Sequence, residues 1–229
     1  TRKRTLFPYT TLFRSAAIYK QGEAAREAGQ AREAVGHFAR IAGLGALPGA
    51  SAVRASALLD TAVALLGLKD WDAAARTLED FRRQHPNHPM QADVAPKLAL
   101  AYMEGGKPAL AAVEFERVAA TAQDPALARG AQWQAAELRH KAADKATPKS
   151  PLLATAIKSW ERYLQAWPQP VEPAVQARWQ LVQLTRQDNQ LPRSTAWLRA
   201  VQAADREAGE ARTPVTRSLG GQATLILSE

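Results

Sequence analysis

Two histidines three residues apart, His85 and His88, have a spacing that can place both rings against one metal ion on a helix. Pro86 and Pro89 break any helix between and beyond them, and no carboxylate or cysteine cluster stands beside them, so no metal site is expected. Carboxylates sit close together at Glu79-Asp80 and at Glu114 and Glu116. General acid–base work needs two such groups converging on a pocket with their pKa values driven apart, and nothing around either pair suggests one. They read as exposed helix charges, as does the mixed-charge stretch from Arg206 to Arg212. His37 next to Phe38 reads as a core-boundary residue, and His140 among polar neighbours as a solvated one. The chain has no cysteine, which removes disulfides, thiolate ligands and a thiol nucleophile. It has no phosphate-binding or nucleophile-elbow motif either, and Gly220-Gly221 reads as a turn. The sequence therefore predicts neither catalysis nor a cofactor.

What remains to be positioned is a surface. Of 229 residues, 46% are hydrophobic but only 7% aromatic; much of the apolar fraction is alanine, a composition suited to closely packed helices. No apolar run reaches the eighteen residues of a membrane span. The net charge is +8, yet Arg2, Lys3, Arg4 and Arg14 supply half of it; the remaining excess is mild for a nucleic-acid binder.

Residues 1–15 stand apart. Thr5 to Ser15 coincide codon for codon with the translation of a common sequencing adapter, and the composition changes abruptly at Ala16. Residues 1–15 are expected to be adapter-derived and unstructured, and 16–229 to be a helical array that is an internal fragment of a longer protein, with any leader or lipid anchor outside it.

An internal repeat organises the rest. In residues 92–125, Leu98 and Tyr102 share a helix face, Gly105-Gly106 ends that helix, Pro108 opens the next, and Ala111 precedes Phe115 by four. The small-x-x-x-large pair recurs as Ala34/Phe38, Ala74/Leu78, Ala156/Trp160 and, more weakly, Ser194/Leu198, at intervals of 37 to 45 residues. A small residue lets two helices cross closely, and the large one a turn later plugs the gap to the next pair. Helices are expected at 16–28, 31–43, 51–67, 71–85, 90–104, 108–121, 126–143, 151–167, 172–187, 191–206 and 213–228, the last interrupted by its glycines. The loop 146–151 is expected to protrude.

The order Leu, Tyr, turn, Ala, Phe resembles the tetratricopeptide repeat, whose period is about 34 residues. The resemblance implies an all-α fold, a right-handed superhelical array of antiparallel helix pairs with about five repeats and a truncated terminal helix. It also implies a protein-interaction scaffold whose first helices line a concave groove. That frame assigns to the groove Tyr19, Arg26, Leu59, Leu100, Met103, Arg129, Trp133, Arg139, Trp179, Gln183 and Arg186. Its arginine- and tryptophan-rich end suits an acidic or extended segment of a protein partner. Trp179 has a competing reading as a core residue. The endings Phe81–Pro89 and Trp160–Pro170 resemble those of repeats in bacterial envelope proteins, such as the Tol-Pal coordinator and outer-membrane-assembly lipoproteins. They imply the periplasm or outer membrane; a cytoplasmic adaptor, or the docking arm of a larger enzyme, is the alternative. Equivalent groove positions differ from unit to unit, so a repeated code for RNA bases is not expected.

Overall fold

A computed structural model describes residues 8–42 and 50–228. They form helices and connecting turns, without a strand among them. The helices are α1 (Pro8–Glu27), α2 (Ala31–Ala42), α3 (Ala50–Gly67), α4 (Trp71–Gln84), α5 (Val94–Glu104), α6 (Pro108–Thr121), α7 (Pro125–Ala143), α8 (Pro151–Ala166), α9 (Val171–Gln187), α10 (Leu191–Glu207) and α11 (Pro214–Ser228). Short 3₁₀ turns cover Pro89–Asp93 and Gly209–Ala211. The chain divides into two compact units, Thr1–Lys107 and Pro108–Glu229.

Turn chemistry fixes the pairing. Four helix ends finish on a residue with left-handed backbone: Gly29 (φ 76°), Lys69 (φ 60°), Gly106 (φ 73°) and Asn189 (φ 55°). At each, the next N–H reaches back across the turn, from Gln30 to Ala25 O, Asp70 to Leu65 O, Lys107 to Tyr102 O and Gln190 to Thr185 O. This is the Schellman closure, which satisfies the last carbonyls of one helix and reverses the chain into the next. The Asp70 carboxylate then accepts from Ala73 N at 3.1 Å, capping α4.

The crossing positions behave as the spacing requires. Ala34, Ala74, Ala111, Ala156 and Ser194 are buried, and four residues on so are Phe38, Leu78, Trp160 and Leu198, while Phe115 is half-buried. The N-terminal unit has a core of Ile18, Ala25, Ala34, Phe38, Ile41 and Ala57. The C-terminal unit has one centred on Leu153, Ile157, Trp160, Tyr163 and Leu181, and another on Val175, Val182, Leu198 and Val201. Besides packing on their chain neighbours, α1 touches α3 and α9 touches α11. Helix α1 thus lies beside α3, and α9 beside α11.

Several expectations are corrected. Helix α1 begins at Pro8, inside the segment expected to be unstructured, and Ser15 is buried; proline is well suited to the first turn of a helix, and nothing from Tyr9 to Ser15 breaks one. The helix expected from 90 starts at 94, because Pro96 has no N–H to bond residue 92. Helix α11 runs unbroken through Gly220-Gly221, since Thr216, Gly220 and Ala223 are packed inward. The connection after α7 is tied down: Gln187 Nε2 donates to the carbonyls of Ala143 (2.8 Å), Asp144 (3.0 Å) and Ala146 (3.0 Å), and Lys149 N donates to Asp188. The stretch from Arg206 to Arg212 is largely exposed, as read, and from it Arg212 forms a bidentate pair with the buried Asp205.

Candidate functional site

The groove residues expected from the sequence do not all face solvent. Leu59 is buried within the helices that surround α3 and cannot meet a partner. Tyr19 Oη and Arg26 Nη1 converge on the Asp60 carboxylate of α3, at 2.5 and 2.6 Å, so they join α1 to α3. Burial, then the Asp60 hydrogen bond, raises the Tyr19 phenol well above its ordinary value. Leu100 and Met103 are exposed on α5. Trp179 is partly buried against the Val175, Val182 and Leu198 cluster, which is the core reading. Gln183 and Arg186 are exposed on α9.

Helix α7 separates the remaining residues. At about 100° per residue, Arg129, Trp133, Glu137, His140, Lys141 and Asp144 fall on one side. Arg139 falls roughly 150° away from the middle of that stripe. Its Nε and Nη2 donate to Glu116 of α6 at 2.8 and 2.9 Å, turned away from the odd-helix side. Arg139 is therefore corrected from groove residue to partner of α6. Trp133 stands edge-on to Trp160, with ring centroids 4.8 Å apart, and to Tyr163 at 5.1 Å.

On the odd-helix side of the C-terminal unit lies a cleft of about 310 Å³ lined by Glu137, His140, Lys141, Asp144, Gln180 and Trp160. Helix α7 supplies Glu137, His140 and Lys141, its C-cap supplies Asp144, α9 supplies Gln180, and α8 supplies Trp160. Trp160 is 1% exposed, and among the described residues nothing accepts from its indole N–H. His140 is half-buried, not solvated as its neighbours suggested. Burial holds its pKa below the ordinary 6.5, partly opposed by Asp144, so the ring is neutral at neutral pH. The cleft thus offers carboxylate and amide acceptors and ammonium and amide donors above the buried Trp160. That set can hold the alternating carbonyls and N–H groups of an extended peptide.

Sequence reasoning missed Glu137, His140, Lys141, Asp144 and Gln180. The signal was present in the polar i, i+3, i+4, i+7 spacing on α7, but tryptophan and arginine outweighed it. No group of three or more potential metal ligands occurs among the described residues. No helix among them is long and apolar enough to cross a membrane.

The tetratricopeptide-repeat family model matches residues 16–43 and 56–88. No curated protein matches the chain. Among solved structures, MamA from AMB-1 is 17% identical, with 86% of this chain and 93% of that one covered and a TM-score of 0.48. YrrB, described as a TPR protein with an unusual peptide-binding site, is 12% identical, with 85% and 88% covered and a TM-score of 0.48. A putative kinesin light chain with nearly identical TPR-like repeats, from Podosopora anserina, is 19% identical, with 87% and 97% covered and a TM-score of 0.45. The chain carries tetratricopeptide repeats at the two matched segments, each built on the small-to-large pair seen at Ala34/Phe38 and Ala74/Leu78.

Proposed function

We propose that this chain is a scaffold that binds other proteins, taking an extended partner segment in the cleft between α7 and α9. One observation carries the reading: a cleft of about 310 Å³ between α7 and α9, rimmed by donors and acceptors over the buried Trp160 indole. The repeat matches at 16–43 and 56–88 support the same class of function. The test is a peptide array probed with the whole chain, followed by titration of each binder against Lys141→Ala and Gln180→Ala. Affinity should fall about tenfold in either variant, as for the loss of one well-placed polar contact at an interface. Peptides that bind both variants as well as the parent would remove the cleft from the function.

The setting proposed is a bacterial envelope assembly, on the strength of the repeat endings at Phe81–Pro89 and Trp160–Pro170. Residues 5–15 are proposed to derive from a sequencing adapter. One experiment addresses both: resequencing the gene from its source, then fractionating cells that express it. An envelope fraction and a different codon run upstream of Ala16 would support both proposals. A cytoplasmic fraction would turn the reading to an intracellular adaptor or a docking arm.

A further inference from the structure

The side of the C-terminal unit opposite the α7/α9 cleft carries a second pocket of about 310 Å³, lined by Glu116, Arg139, Thr155, Lys158, Ser159 and Arg162. Three cations here face one carboxylate. Arg139 takes both oxygens of Glu116, and Arg162 Nη1 lies 3.7 Å from Oε1 of the same group. Lys158 is exposed and makes no hydrogen bond or ion pair among the described residues. The hydroxyls are committed elsewhere: Thr155 donates to Pro151 O at 2.7 Å, and Ser159 Oγ accepts from Gln132 Nε2 at 3.2 Å. The Arg139 fork, only 18% exposed, is fixed by the carboxylate it holds, so the positive field at the mouth comes from Arg162 and Lys158. Around α8, Lys158 and Arg162 lie more than about 150° from Trp160, so this pocket and the cleft open to different sides.

We propose that this pocket is a second docking surface, and that it takes the glutamate and aspartate side chains of an acidic segment of a protein partner. The reading goes beyond the cleft and does not depend on it. Charge complementarity selects the occupant: two solvent-facing cations have no full partner, and Arg139 shows the geometry in which the pocket already receives a carboxylate. A polynucleotide fits less well. Glu116 and Glu161 interrupt the basic face, and no aromatic ring lines the pocket to stack a base.

The experiment uses the whole chain, a short fluorescein-labelled Glu-Ala repeat peptide and its Gln-Ala counterpart, with binding read by anisotropy. The Glu-Ala peptide should bind and weaken with salt, and the Gln-Ala peptide should not bind. The exposed-site variant Lys158→Glu with Arg162→Glu should lose at least about tenfold in affinity. The cleft variant Lys141→Ala should bind the acidic peptide unchanged, which separates failure here from failure of the cleft reading. If the double charge reversal unfolds, Lys158→Ala decides, with a severalfold loss expected. Absence of binding by the parent, or equal binding by the charge variant, overturns the proposal. So does tighter binding of a single-stranded oligonucleotide that the same variant abolishes, which would assign the pocket to nucleic acid.

Discussion

The Asp205 carboxylate occupies the space that a side chain at Gly220 would need: a Cβ there would lie 2.6 Å from Oδ2. Asp205 cannot step aside, because Arg212 donates to both its oxygens, at 2.8 and 2.6 Å. The adjacent Gly221 meets nothing within 4 Å. Two neighbouring glycines in one helix therefore predict opposite outcomes. Gly220→Ala should destabilise by about 1–2 kcal/mol, the overpacking penalty less the helical gain. Gly221→Ala should stabilise by about 0.5–1 kcal/mol, because only the flexibility of the unfolded chain changes. Urea midpoints of the two variants and the parent check both signs.

The four Schellman turns give a graded series. Lys69 holds φ 60° with a Cβ that crowds the following carbonyl, whereas Gly29 and Gly106 occupy the same conformation freely. Lys69→Gly should raise stability by about 1 kcal/mol, and Gly106→Ala should lower it by a similar amount. Asn189→Gly should change little, since asparagine tolerates this region. Thermal midpoints should rank Lys69→Gly above Asn189→Gly, and Asn189→Gly above Gly106→Ala.

Acid should weaken the fold through two histidines. Burial lowers the folded pKa of His140, and burial, then His88 and Arg54, lowers that of His85. The unfolded chain then binds more protons than the folded one, so stability is fully present above the ordinary 6.5. It falls as pH drops from there through the lowered values, then levels. His140→Gln should flatten part of that slope; a slope unchanged in the variant would contradict the burial described for this ring.

Gln187 ties the α7–α8 connection to the end of α9 through three carbonyls. Gln187→Ala should cost about 1 kcal/mol, mainly through the Ala146 carbonyl, because Ala143 O keeps the Ala146 N–H and Asp144 is open to water. Gln187→Glu should be worse, because it sets an acceptor against acceptors. Hydrogen exchange should accelerate over residues 144–150 before the rest of the unit responds.

The fold was legible where local chemistry alone decides it. Pro108 and Pro151 open α6 and α8 where expected, and the pairs Ala34/Phe38 and Ala156/Trp160 are buried as their spacing requires. Lys69 and Asn189 escaped notice as turn residues because only their tertiary setting imposes a positive φ. The site was less legible. Arg139 and His140 are neighbours in sequence, but the 100° step between them puts one against α6 and the other in the cleft. Which side of α7 meets solvent depends on how α6, α8 and α9 cross it. That is a long-range fact that a repeat frame drawn from one helix pair does not contain.

The edge-on stack of Trp133, Trp160 and Tyr163 beneath the cleft has an optical consequence. Rings held this close in fixed orientation should give strong near-ultraviolet circular dichroism, and a guest in the cleft that shifts these buried rings would perturb that signal without any attached dye. The chain also lacks cysteine, so one introduced in place of Gln180 would be its sole thiol. A spin label or crosslinker placed there would report from the rim while the indoles report from the floor.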